Sequence, residues 1–266
     1  MLSPSTPTSL LNYQLLKAKS GEQRPYLTLI HGLFGSLENL NMVAKVLSEH
    51  FNVVSVDVRN HGNSFHQEGM DYQTLAKDVV NLLDHLNIAE TLLLGHSMGG
   101  KIAMTIALSQ PERVTKLVVA DIAPVAYPAH HQQIIEGLLA IDHSQVMKRS
   151  DADKQLSAFV EDAGVRQFLL RNLKITEHGS EFKCSVEKIA QGYSQIMAAT
   201  ESSTTYDQPT LFVKGGNSNY ITAEHREAIN ALFSNSSAKI IQGAGHWLHA
   251  EKTVAFNKIV SDFLLS

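Results

Sequence analysis

Short apolar runs that stop at a glycine or an aspartate recur along this chain, and they constrain its fold more than any other feature. Tyr26–Ile30 ends at His31-Gly32, residues 51–56 at Asp57, residues 91–94 at Gly95, and Val114–Ala120 at Asp121. Residues 210–214 and 238–241 follow much later, each running out to glycine. Runs this short suit strands buried on both faces of a parallel sheet. Residues 11–19 alternate weakly and read as an edge strand. Helical segments lie between these runs. Over residues 71–86, Tyr72, Leu75, Ala76, Val79, Val80, Leu83 and Leu86 form the single stripe of an amphipathic helix, with Asp71 as its N-cap. Met98–Ser109 is apolar nearly all round, as in a helix packed deep against a sheet, and Pro111 ends it. Residues 223–233 and 251–265 read as surface helices. Strands alternating with helices make a doubly wound, mostly parallel α/β sheet the expected fold.

The rhythm breaks between residues 124 and 206. Helical patterns cover residues 131–139, 155–162, 165–173 and 186–199, and no convincing strand is visible. The expected organisation is an α/β core made of residues 11–123 and 207–266, with 124–206 as a helical cap insertion over the site. With 266 residues, 44% hydrophobic and 18% charged, the chain has material for one large core. Residues 1–10 are rich in Ser, Pro and Thr and are expected to be poorly ordered.

Gly95-His96-Ser97-Met98-Gly99 fits the G-x-S-x-G pattern, which is weak alone. Its setting gives it force. An apolar strand runs into it and an apolar helix leaves it, the strand–turn–helix context of a nucleophile elbow. A sharp turn there strains the serine backbone and lifts its hydroxyl above the sheet, while the flanking glycines avoid clashes. Ser97 is therefore the expected nucleophile.

Two further segments supply partners. His31-Gly32-Leu33-Phe34-Gly35 follows the first strong strand, where a loop can offer a backbone N–H to an oxyanion. Leu33 and Met98 are assigned as the donors, with Phe34 the alternative for the first. The base should be a histidine on a loop near the C-terminus, since an elbow serine is followed in the chain by its acid and then its histidine. His246 directly follows Gly243-Ala244-Gly245, whereas His249 lies nearer the final helix and is expected to pack there. His246 is the preferred base.

His31-Gly-Leu-Phe-Gly, Asp57-Val-Arg-Asn-His-Gly-Asn-Ser64, Gly95-His-Ser-Met-Gly-Gly100 and Gly245-His246 together resemble an α/β-hydrolase from about residue 11 onward. Asp57-Val-Arg-Asn-His-Gly, Asp121-Ile-Ala-Pro-Val and Gly215-Gly-Asn-Ser further resemble the YbfF-type esterases and related abhydrolase-domain acyl hydrolases. In most α/β-hydrolases the acid follows the strand read here as 210–214. This chain has Gly215-Gly216-Asn217-Ser218-Asn219-Tyr220 there, with no carboxylate. Asp121 ends the preceding strand, close to the usual acid position, and the resemblance implies that it is the acid. Ser218 stands in the vacated place and is a candidate fourth member, orienting Asp121 or His246.

Other features narrow the function. Asp57, Arg59 and His61 read as anchors of a strand-end turn, and Cys184 as a buried cap residue. The histidines show no metal-ligand spacing, and no dinucleotide or phosphate-binding glycine loop is present, so neither metal nor cofactor is expected. A net charge of -4 argues against a nucleic-acid or anionic-membrane partner. The N-terminal residues lack the pattern of a secretory leader and a lone cysteine suits a reducing compartment, so a cytoplasmic protein is expected. The oligomeric state is left open. The expected partner is a small-molecule ester or thioester, cleaved through an acyl-enzyme on Ser97. The resemblance implies small acyl esters and acyl-CoA thioesters. Arg166, Arg171, Lys174, Lys183 and Lys188 in the insertion could meet a phosphorylated leaving group, but read more simply as a solvated face. A C–C bond hydrolase, or a ligand-binding protein retaining a slow triad, remain alternatives.

Overall fold

The computed structural model describes residues 9–21 and 23–266, so most of the N-terminal segment expected to be poorly ordered (residues 1–8) lies outside the described residues. Strands β1 (Tyr13–Leu16), β2 (Tyr26–Ile30), β3 (Asn52–Val56), β4 (Thr91–His96) and β5 (Val114–Ala120) are followed by a small hairpin, β6 (Leu173–Thr176) and β7 (Gly179–Phe182). Strands β8 (Thr210–Gly215) and β9 (Ser236–Ile241) complete the set. The main sheet has the order β1-β3-β2-β4-β5-β8-β9. Every pairing in it is parallel except that of the edge strand β1 with β3.

Alternate residues of the central strands face opposite layers, as the pleat demands. Leu92 and Leu94 pack with Val43, Ala44 and Leu47 of α1 (Asn41–Leu47) on one face, alongside Phe256, Val260 and Leu264 near the C-terminus. Leu93 points the other way, joining Leu75 and Val79 of α2 (Tyr72–His85) and Ile102 and Ile106 of α3 (Met98–Ser109). Asp71 caps α2 by accepting the Thr74 N–H. The sheet is thus covered on both sides.

Between β5 and β8 the chain forms α4 (Gln132–Leu139), α5 (Arg149–Leu156), α6 (Ala163–Leu169), α7 (Val186–Gln191) and α8 (Tyr193–Met197). After β8 come α9 (Arg226–Leu232), α10 (Leu248–Glu251) and α11 (Thr253–Leu265). Several expectations for the insertion need correction. It does contain strands: β6 and β7 pair antiparallel, and Gly179, at the start of β7, adopts φ 131°. The helix expected over 155–162 begins earlier, at Arg149, because the Asp151 carboxylate accepts the Met147 and Lys148 N–H groups. The next helix starts at Ala163, capped by Asp162, and gives way to a 3₁₀ turn before Leu173 enters β6. The helix expected over 186–199 breaks at Gly192, where a Cβ would lie 2.5 Å from the Met70 side chain.

Both limbs of chain that enter and leave the insertion are paired. The Tyr127 N–H donates to the Met197 carbonyl and the Thr200 N–H to the Pro124 carbonyl. Beneath them Lys101 of α3 donates its ammonium to the Val125 and Ala198 carbonyls, with the Tyr127 ring face 4.9 Å away. Among the described residues, no helix is long and apolar enough to cross a membrane, and no cluster of three or more ligating side chains could hold a metal ion.

Candidate active site

Ser97 joins β4 to α3 with φ 53° and ψ -120°, a conformation that costs an L-residue energy and persists only where its surroundings enforce it. The flanking glycines make the enforcement possible. A Cβ on Gly95 would lie 2.1 Å from the Gly99 carbonyl oxygen, and one on Gly99 would lie 2.2 Å from that of Ile30. The Ser97 N–H donates to Ala120 of β5 at 2.9 Å, and its carbonyl accepts the Gly100 N–H at 2.8 Å. The serine therefore stands beyond the carboxyl end of β4, beside β2, where the strand order reverses. That crevice is where α/β sheets place their ligands.

His246 lies on the loop between β9 and α10. Its Nε2 is 3.0 Å from Ser97 Oγ and its Nδ1 is 2.7 Å from Asp121 Oδ2. A carboxylate only accepts, so Nδ1 carries the proton and the Nε2 lone pair faces the serine hydroxyl. Asp121 follows β5 with φ 52° and is fully buried. Its Oδ1 accepts the Gly215 N–H at 2.9 Å, and its Oδ2 accepts the Ser218 hydroxyl as well as the imidazole. The structure thus brings together the four side chains the sequence singled out.

Leu33 and Met98 also border this space. The Gly32 carbonyl accepts both the His31 Nδ1–H at 2.8 Å and the Gly35 N–H at 2.9 Å. In a trans peptide the C=O and N–H are antiparallel, so the Leu33 N–H points away from both of those donors. The Met98 N–H is the first of α3, a position without an intrahelical acceptor. Together these can face an oxyanion on Ser97.

Neighbouring rings set the electrostatics. His96 donates from Nε2 to the His246 carbonyl at 2.8 Å, a contact across 150 positions. Burial, with His249 and His246 close by, holds His96 well below the usual imidazole range. His249 packs against His96 and is pushed down to about 4, chiefly by burial. His131 is pushed down to about 3 for the same reason, aided by His130. Burial also lowers His31, whose Nε2 accepts the Val58 N–H. These imidazoles stay neutral near pH 7, and His246 is the group placed to take up a proton. The Tyr220 ring stacks on it, with centroids 3.9 Å apart and planes 21° apart.

Sequence reasoning missed Tyr220, although it ends the very loop that lacks the usual acid. His61 is fully buried, its Nδ1 donating to the Arg59 carbonyl at 2.9 Å. The anchoring role of Asp57 is as expected: its carboxylate accepts the Leu37 and Asn63 N–H groups. Arg59 forms a buried two-point pair with Asp78. Cys184 is buried, which pushes its thiol up.

The cavity over Ser97 has a volume of about 290 Å³. Its walls come from the core (Leu33, Phe34, Leu40, Trp247) and from the insertion (Ile134, Val165, Phe168, Leu169). Of the insertion's cations, Arg166 is tied to Asp153 and Lys174 to Glu181.

Comparison with known proteins fits this geometry. A family model described as an alpha/beta hydrolase fold matches residues 25–253. The chain is similar to esterase YbfF of Escherichia coli (strain K12), 36% identical over 255 residues that cover 96% of this chain and 98% of that protein. It is similar to the sn-1-specific diacylglycerol lipase ABHD11 of Mus musculus, 39% identical over 266 residues that cover 96% and 85% of the two chains. Among solved structures, one described as a marine microorganism esterase superposes with a TM-score of 0.91 at 34% identity, covering 96% of this chain and all of that one.

Proposed function

The chain belongs to the α/β-hydrolase fold family, and on that premise we propose that it is a serine ester hydrolase acting through an acyl-enzyme on Ser97. The observation that carries this reading is the line Ser97–His246–Asp121, in which one imidazole joins a strained serine to a buried carboxylate.

Each step follows from those contacts. His246 Nε2 takes the hydroxyl proton as Ser97 Oγ bonds to the carbonyl carbon. Asp121 holds the ring's tautomer and stabilises the imidazolium. The Leu33 and Met98 N–H groups receive the oxyanion. His246 then returns the proton to the departing alcohol or thiol. Water attacks the acyl-enzyme by the same route: His246 takes its proton and returns it to Ser97 Oγ as the acyl–Oγ bond breaks, and the acid leaves. Ser218 keeps the Asp121 carboxylate in place.

Residues 124–206 serve as a cap whose apolar side chains hold the acyl part of the substrate. A cavity of about 290 Å³ suits a small or medium acyl group. Simple esters and diacylglycerols, in keeping with the names esterase YbfF and diacylglycerol lipase ABHD11, are the substrates to test first, with CoA thioesters tested beside them. Turnover should be measured over a panel varying acyl length and leaving group. Multiple turnovers on simple esters, lost in Ser97→Ala, are expected. A single slow turnover with ligand retained would instead indicate a binding protein.

A further inference from the structure

The loop that offers the Leu33 N–H is held from two directions. From the core side, His31 and the Gly35 N–H fix the Gly32 carbonyl. The other hold comes from the insertion. Phe34, the residue after Leu33, is buried and adopts φ 56°, a left-handed backbone that a bulky L-residue seldom takes. Its carbonyl accepts a 2.6 Å hydrogen bond from Nδ2 of Asn172, 138 positions away in the insertion. Asn172 is itself only 5% exposed. Its other amide hydrogen goes to the Leu169 carbonyl at 3.2 Å, and the main-chain carbonyl of Asn172 accepts the Lys183 N–H at 2.9 Å. The amide is thus tied to the end of α6, and the residue's backbone to the strand-end chain at Lys183.

We propose that Asn172 is a positioning residue for ester hydrolysis: it fastens the strained Phe34 peptide to the insertion and so keeps the Leu33 N–H aimed at the oxyanion. Oxyanion stabilisation then depends on the insertion being seated, although no insertion side chain donates to the oxyanion. The proposal rests on the serine-hydrolase reading above.

The physical reason is a competition over one peptide. Without Asn172, a buried carbonyl has lost its donor, and Phe34 can relax toward an ordinary backbone conformation by rotating the adjoining peptides. That rotation moves the Leu33–Phe34 turn away from Ser97. It leaves the serine, the histidine and the apolar walls where they are. A loss confined to the oxyanion weakens the transition state more than the bound ester.

The test compares Asn172→Asp and Asn172→Ala with the unaltered protein. The aspartate keeps the shape but sets an acceptor against the Phe34 carbonyl, while the alanine removes the donor without adding charge. Three quantities are read: kcat and KM on a simple ester, and Ki for a trifluoromethyl ketone that adds reversibly to the serine and places an oxyanion in the same site. A displaced donor predicts a fall in kcat of about 10- to 100-fold. KM should stay within twofold, and Ki should rise by a factor similar to the fall in kcat. If Asn172→Asp does not fold, Asn172→Ala carries the comparison. A folded Asn172→Ala protein with kcat and Ki within threefold of the unaltered protein overturns the proposal, even if its Tm falls. Failure of the underlying reading looks different: the unaltered protein itself would neither hydrolyse esters nor bind the ketone.

Discussion

Ser218 and Asp121 share one hydrogen bond, yet their removal should have different consequences. The Asp121 carboxylate is fully buried and takes three donors: Gly215 N–H at 2.9 Å, His246 Nδ1–H at 2.7 Å, and the Ser218 hydroxyl. Ser218→Ala deletes one donor to a charged group, worth about 1.5–3 kcal/mol of stability. At about 2–4 °C per kcal/mol for a chain near this size, Tm should fall by roughly 3–12 °C. The Gly215 and His246 bonds still hold the carboxylate, so kcat should fall by no more than about tenfold, or about 1.4 kcal/mol. Asp121→Asn works otherwise. An amide facing Nδ1 favours the tautomer with its proton on Nε2, which cannot accept the serine proton, and the expected loss in kcat is roughly 10⁴-fold. Asparagine tolerates the positive φ at this position, so the backbone is not the cause. Both variants should be followed by ester turnover and by thermal unfolding. The reasoning is refuted if Ser218→Ala loses as much turnover as Asp121→Asn with an unchanged Tm, or if Asp121→Asn stays near wild type.

Titration of the buried histidines should make the fold acid-labile. His61 and His131 sit at about 3 and His249 at about 4, all lowered first by burial, against about 6.5 when unfolded. Their folded values are depressed, so these three alone give the unfolded chain about three more protons at pH 5, and stability falls as pH drops below about 6.5, with His31 and His96 adding to the fall. Denaturant unfolding at pH 7, 6 and 5 should show a slope steepening to at least about 4 kcal/mol per pH unit; a flat profile contradicts the depressed titration of these histidines. Lys101 acts in the alkaline range. It has no ion-pair partner among the described residues, and burial pushes its amine down to about 7. Between about pH 7 and 10.4 the unfolded chain alone keeps that proton, so this residue's contribution to stability improves as pH rises. Lys101→Met should remove about one proton's worth of slope, and equal slopes in both proteins would refute the assignment.

What the sequence revealed depended on how local each signal was. The central strands and the elbow were legible because an apolar run, two glycines and a serine suffice to describe them. Asp121 was legible through the resemblance to the YbfF-type esterases, since it follows β5, whose neighbour β8 leads into a loop without a carboxylate. The insertion was harder. Arg149–Leu156 is too polar to show a stripe, and its start depends on the Asp151 side chain. The β6–β7 hairpin is short, although His178-Gly179 where β7 begins is a turn signal. The roles of Tyr220, Lys101 and Asn172 lie in contacts with distant segments: the stack on His246, the paired limbs of the insertion and the Phe34 carbonyl. No spacing in the sequence encodes them.

The central claim is that Ser97 is the nucleophile, activated by His246. It is tested most directly by treating the protein with a fluorophosphonate and measuring its intact mass, followed by peptide mapping. The account predicts one phosphonyl group per chain, on Ser97, absent from Ser97→Ala and strongly slowed in His246→Ala. An adduct on another residue, or undiminished labelling of Ser97→Ala, would contradict it.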